Sequence, residues 1–199
     1  MEKIQLGDIA DTRLGHPFRG TIPIIKDGNI NVIQVRNINS FDELDTENLI
    51  KTELNGRKSP DWLQPKDILF VCRGSRHFAT IVKKVHENTL CSPHFFLVRL
   101  KEVGKKRALP EFIAWQLNQV LAQRYFTASA EGSNQISIRK TLLEQAPMVL
   151  PPLEQQKIIV DLHDVAIKEK KLHMQLIENR EMQLKAIAQD LLTNQIFAV

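Results

Sequence analysis

The alternation of apolar and polar residues changes character twice along this chain. Through the first 150 residues, short β-branched and aromatic runs at 31–36, 67–73, 79–85 and 94–100 are separated by turn residues. Such runs predict strands. Lys26-Asp27-Gly28-Asn29 and Asn55-Gly56 are strong turn signals between them. Pro110 then opens a helical period, with Ile113, Leu117, Val120 and Leu121 on one face and Gly132 beyond its end. Strands and helices do not alternate regularly, so a doubly wound nucleotide fold is unsupported. The class is α+β.

The second change comes at Pro151-Pro152. All eight glycines lie at or before Gly132 and all nine prolines at or before Pro152, leaving 47 residues with neither. That stretch is rich in Leu, Gln, Glu, Lys and Ala, which are good helix formers. Proline suits a first helical turn, so the pair marks the start of one long helix. A single helix over this span would reach roughly 65–70 Å. The chain therefore divides into a mixed domain over 1–150 and a long helix over 151–199.

No domain of that size can cover so long a helix. Its apolar residues, Ile159, Leu162, Ala166, Leu172, Leu176, Ile177, Leu184, Ile187 and Leu191, recur mostly at steps of three or four. The stripe weakens near Glu169 and Arg180, so it is not a clean two-stranded zipper. A helix folded against its own domain is the plain alternative; the length favours one that docks on another chain.

Composition narrows the function. With 199 residues, 43% hydrophobic and 25% charged, the chain can bury one sizeable core. The longest strictly apolar run is Ile68-Leu69-Phe70-Val71-Cys72, whereas a bilayer span needs about 20 residues. No secretory segment follows Met1, and two cysteines make no disulfide framework, so a cytoplasmic protein is expected. The net charge of +4 is unevenly held: residues 1–150 carry 21 Lys+Arg against 16 Asp+Glu, and residues 151–199 carry 6 against 7. Positive charge confined to the domain is compatible with a polyanion partner.

Catalytic signatures are missing. There is no G-x-x-x-x-G-K-[ST] and no G-x-G-x-x-G, and no carboxylate cluster of nuclease type stands near Asp61 and Asp67. Cys72, His77, Cys91 and His94 have zinc-compatible types, but each close pair mixes Cys with His, unlike the usual Cys-x2–4-Cys. A small zinc hydrolase or nuclease on these four is the rival from another class. No metal, cofactor or catalytic residue is expected in this chain.

The basic residues fall mostly in turns. Arg73-Gly74-Ser75-Arg76-His77 leaves an apolar strand through a glycine and offers two guanidinium forks, a hydroxyl and an imidazole. Such forks suit guanine O6/N7 or phosphate. With Arg13, Arg19, Lys83 and Lys84, these residues form the candidate DNA-binding set.

Certain blocks resemble a known family. Leu6-Gly7-Asp8-Ile9-Ala10, Ile33-Gln34-Val35-Arg36-Asn37-Ile38 and Leu63-Gln64-Pro65-Lys66-Asp67-Ile68-Leu69-Phe70-Val71-Cys72-Arg73-Gly74 look like the target recognition domain of Type I restriction-modification specificity subunits. So do Gly132-Ser133-Asn134-Gln135-Ile136-Ser137-Ile138 and Leu150-Pro151-Pro152-Leu153-Glu154-Gln155-Gln156. The resemblance implies a non-catalytic subunit that reads one half of an interrupted site in double-stranded DNA. It also implies a spacer helix that pairs antiparallel with a second helix and docks methyltransferase and restriction subunits, S-adenosylmethionine belonging to the methyltransferase. The usual subunit has two domains and two helices; one of each here implies a half-subunit. Pairing through Leu162, Ala166, Leu172, Leu176, Leu184, Ile187 and Leu191 would give a homodimer on an interrupted palindrome. A protein that mimics a specificity subunit without binding DNA is the remaining reading.

Overall fold

The computed structural model describes residues 2–54, 59–128 and 137–196, so the Asn55-Gly56 turn and the block from Gly132 to Ile136 lie outside the described residues. The described elements are β1 (Glu2–Gln5), α1 (Leu6–Ile9), β2 (Ala10–Leu14), β3 (Ile30–Ile33), β4 (Ile50–Thr52), β5 (Ile68–Val71), β6 (Ala79–Ile81), β7 (Thr89–Cys91) and β8 (Phe95–Leu100). They continue with α2 (Glu102–Lys105), α3 (Pro110–Leu117), α4 (Val120–Ala128), α5 (Lys140–Glu144), β9 (Pro147–Leu150) and α6 (Leu153–Ile196). The architecture is α+β with a long C-terminal helix. Two compact units divide the chain, 1–160 and 161–199.

A four-stranded antiparallel sheet in the order β2-β8-β5-β6 organises the first unit. Its alternating side chains feed two cores. Ile68, Phe70, Phe96 and Val98 join Phe112, Ile113, Leu117 and Phe126 from α3 and α4. Leu69, Val71, Phe95 and Leu97 face Ile33 and Cys91. All four residues of β5 are buried, which is why its sequence is continuously apolar rather than alternating. A second sheet, β4-β3-β7, pairs β3 with β7 in parallel and packs Val32 and Leu90 into a third, smaller core. Strands β1 and β9 close an antiparallel pair beside α1.

Polar side chains hold the joints. The Asp67 carboxylate accepts from Arg99 Nε and Nη2, each at 2.7 Å, and from the Gln64 amide at 2.7 Å. This closes the turn that launches β5. Burial at one end and a bidentate partner at the other make it a strong contact; the Asp67 bond in turn holds the Arg99 guanidinium above its usual range. Three amides also act as strand-like partners for backbone. Asn118 receives the Ala79 N–H and donates to the Ala79 carbonyl, at 2.7 and 2.8 Å. Gln116 does the same for Val149, at 2.9 and 3.0 Å. Gln156, fully buried, receives the Leu109 N–H at 2.9 Å and donates to the carbonyls of Arg107 and Pro151, both at 2.8 Å. The first two turns of α6 thus belong to the first unit.

Some local expectations are corrected. The helix opened by Pro110 stops at Leu117 and a second begins at Val120, leaving Val120 and Leu121 exposed while Ile113 and Leu117 are buried. Asn118, committed to Ala79, sits at the break. The strand expected over 31–36 ends at Ile33, where Asn37 Oδ1 accepts from the Gln34 amide at 2.8 Å and turns Val35–Asn37 into a 3-10 segment. The run at 79–85 gives only Ala79–Ile81 as strand, because Val82 bonds the Lys66–Asp67 turn instead.

Removing Asp67 would leave a guanidinium and an amide without their acceptor. Asp67→Ala is expected to lower the free energy of unfolding by about 2–4 kcal/mol in urea titration. Asp11→Ala, whose contact with Lys101 spans 3.9 Å at the surface, is expected to change it by less than about 0.5 kcal/mol. Equal effects would remove Asp67 from its structural role.

Candidate nucleic-acid interface

Strand directions decide where the loops go. Pairing sets Leu14 opposite Phe96, Val71 opposite Phe95 and Phe70 opposite Ala79. The C-terminal ends of β2 and β5 and the N-terminal ends of β8 and β6 therefore share one end of the sheet. The 15–29 loop, the 72–78 hairpin turn and the 92–94 corner all emerge there. Gly15 donates to Phe95 O at 2.9 Å and His16 to Cys91 O at 2.8 Å. A Cβ on Gly15 would stand 2.0 Å from the Ser92 carbonyl, so only glycine lets the loop lie this close. Because β3 ends beside Cys91, the 3-10 segment with Arg36 opens toward the same end.

Five of the eight DNA-binding candidates collect at this end, Arg13, Arg73, Ser75, Arg76 and His77, and Arg19 lies in the loop that leaves it. They are not equivalent. Arg13 pairs with Asp61, and Arg76 pairs with Asp42. Arg19 and Arg73 are exposed and without a side-chain partner among the described residues. The backbone of Arg73 is nonetheless anchored, since it bridges Ser137 and Cys72 O accepts from Ile138 N at 2.9 Å. Gly74, at φ +144, supplies the turn. His77 is half-buried: its ring stacks on Phe70, and Nδ1 donates to the Val71 carbonyl at 3.0 Å. It braces the hairpin from inside. Lys83 and Lys84 lie elsewhere, beyond the Lys66–Asp67 turn at the opposite end of β6.

The four residues considered for zinc are not gathered. Among the described residues no three His, Cys, Asp or Glu side chains come close enough to share a metal. Cys72 Sγ donates to the His94 carbonyl at 3.2 Å, and Cys72 and Cys91 are both buried free thiols. Burial pushes the Cys72 thiol up to about 11 and the Cys91 thiol up to about 12.

The family model for the Type I restriction modification DNA specificity domain matches residues 1–179. The chain belongs to this family. A specificity domain supplies recognition rather than catalysis. Three solved structures are similar. One, described as showing complex assembly and conformational transition of the type I R-M system, matches with a TM-score of 0.67 at 16% identity over 97% of this chain and 45% of that one. The S subunit from M. genitalium matches at 0.54 and 17%, over 82% of this chain and 38% of that one. The HsdS subunit from Thermoanaerobacter tengcongensis matches at 0.55 and 17%, over 85% and 37%. The chain thus spans less than half the length of these structures. No curated protein matches the sequence.

In this specificity domain several residues of the family-like blocks are framework, while Arg36 and Arg73 in the same blocks are exposed. Leu6 and Ile9 are core residues, and Asp8 accepts from the Gln5 amide at 2.8 Å to start α1. Asp67 and Gln156 close the joints described above. Sequence reasoning did not mark Arg36, His16 or His94 as DNA contacts, although His94 was weighed as a metal ligand; only the parallel β3–β7 pairing and the 92–94 corner bring them to the loop-bearing end.

The thiols give a test independent of DNA. Their raised values keep both protonated in the folded domain, whereas the unfolded chain ionises near 9. The stability they contribute is present below pH 9 and is lost as pH rises toward 11–12. At pH 8, both cysteines of the native protein are expected to react at least tenfold more slowly with a soluble disulfide reagent than those of the urea-unfolded chain. A fast-reacting native thiol would place one of them at an open site.

Proposed function

We propose that this chain is the DNA-recognising component of a Type I restriction-modification system. It reads one half-site through the loop-bearing end of its four-stranded sheet and assembles through α6. The family match over 1–179 carries this reading, since it spans both the domain and most of the helix. The convergence of Arg13, Arg36, Arg73 and Arg76 at one sheet end supports it, because guanidinium forks on loops held by a rigid sheet suit phosphates and base edges.

The second unit supplies the assembly surface. Leu162, Ala166, Leu172, Leu176, Leu184, Ile187 and Leu191 are all exposed, and among the described residues from 161 to 193 none is buried. Ile158 and Val165, also exposed, extend the stripe. From Ile158 it runs through 162, 165, 169, 172, 176, 180, 184 and 187 to 191, 33 residues in nine steps, or roughly 3.7 residues per turn. That period lies just above the 3.6 of a straight helix, so the seam drifts right-handed rather than winding into a left-handed zipper. Glu169 and Arg180 interrupt it, leaving positions where the helices of a methyltransferase subunit complete a bundle.

Two identical chains associate most simply about a two-fold axis, using the same patch twice. Such a dimer imposes its symmetry on DNA, so the target is an interrupted palindrome. S-adenosylmethionine chemistry belongs to the methyltransferase partner and none to this chain. Among the described residues no helix is long and apolar enough to cross a membrane.

Light scattering at micromolar concentration is expected to give twice the chain mass. Leu172→Glu with Leu176→Glu should give the single mass with an unchanged melting temperature. Duplex binding by the full chain should weaken steeply between 50 and 200 mM salt. A duplex that fails to bind even at low salt would refute the DNA-recognition reading, and a wild-type monomer would refute the homodimer alone.

A further inference from the structure

We propose that Arg76 is a base-reading residue of this surface, a guanine-selective arginine held in aim by Asp42 and by the ring of Phe78. The assignment rests on the DNA-recognition reading above. Its ground is that Arg76 has both a carboxylate and an aromatic ring against it, whereas Arg13 shares only the carboxylate pairing, with Asp61, and Arg73 has neither among the described residues.

Arg76 is fixed on two sides yet open on the third. Its guanidinium carbon lies 4.3 Å above the Phe78 ring centroid, and Nη2 donates to Asp42 Oδ1. The side chain remains 58% exposed, and the one hydrogen bond to Asp42 leaves the fork further N–H donors for a partner. Asp42 is itself held in place. Its backbone stands at φ 59, a conformation that non-glycine residues seldom adopt. Thr80 Oγ1 donates to its carbonyl at 2.6 Å, and its amide donates to Asn39 O at 3.1 Å. Asn39 Oδ1 in turn accepts from the amides of Phe41 and Glu43, at 2.8 and 3.1 Å. A strained residue tied at both backbone groups presents its carboxylate to one arginine.

Electrostatics then separate two uses of an arginine. A guanidinium already neutralised by a carboxylate attracts phosphate poorly, because the pair carries no net charge and the carboxylate repels the phosphate oxygens. It keeps oriented donors for a neutral partner. Guanine alone presents two adjacent acceptors, O6 and N7, on one edge, and bidentate pairing rewards a fork whose plane is fixed beforehand. Arg73 has the opposite properties: it is exposed, has no side-chain partner among the described residues, and stands on an anchored backbone. That suits a phosphate, whose position it can follow.

The test selects bound duplexes from a random-sequence library with the full chain and the subunits that co-purify with it. The wild type should enrich a site with at least one fixed G·C pair in each half. Arg76→Ala should reduce discrimination at that pair by about 5- to 100-fold while leaving the other positions fixed. Arg76→Lys, which keeps the charge but not the fork, should lose the same preference. Asp42→Asn should weaken it at the same pair, by about three- to tenfold, without tightening binding to other sequences. Arg73→Ala should lower affinity for all sequences alike and reduce the log–log salt slope by about one. A uniform loss in Arg76→Ala with a reduced salt slope would overturn the assignment by making Arg76 a phosphate contact. Tighter binding of every sequence by Asp42→Asn would also overturn it, since Asp42 would then be a competing counter-ion. A wild type that enriches no sequence would remove the recognition reading and this assignment with it.

Discussion

Strand β5 is enclosed by apolar side chains on both faces and hydrogen-bonded along both edges, and the placement of the 72–78 hairpin turn with Arg73 and Arg76 follows from it. A one-residue slip in its register would exchange Phe70 and Ile68 for Leu69 and Val71 between the two cores. The Asp67–Arg99 contact fixes where the strand begins, so it also fixes where Arg73 leaves it. The hairpin turn is then pinned from both sides, by Ser137 against Arg73 and by Asp42 against Arg76. A rigid strand ending in an anchored loop positions guanidinium groups without giving them up to the core.

The same logic explains what could be read from the sequence. The doubly buried β5 showed as an unbroken apolar run, and the long helix showed as 47 residues without glycine or proline. Both signals are local. The strands β1, β2, β4, β7 and β9 are three to five residues long and owe their existence to partners far along the chain. Their sequences carry too little periodicity to stand out. The break at Asn118 has the same origin, since the reason for it is a backbone 39 residues away.

The interface was only partly legible, for a physical reason. The blocks that resemble the family are joints: Asp8 at α1, Asn37 at the 3-10 turn, Asp67 before β5 and Gln156 at the root of α6. The groups that meet a partner are set by loop geometry instead. Clustering by sequence put Lys83 and Lys84 with Arg76, although β6 carries them to opposite ends. It also treated His77 as an outward group, although Val71 and Phe70 hold it inside. Arg36 falls in a block notable only for its family likeness and His94 in a set weighed for zinc, so neither is marked as a DNA contact.

The central claim is that one end of the four-stranded sheet is the recognition surface. Amide hydrogen exchange of the assembled protein, with and without bound duplex, tests it most directly. Residues 15–19, 36–42, 73–77 and 92–94 are expected to gain protection together when duplex is bound, while 83–84 and 101–106 at the opposite end stay unchanged. Protection of that opposite end, with the four loop segments unaffected, would contradict the account.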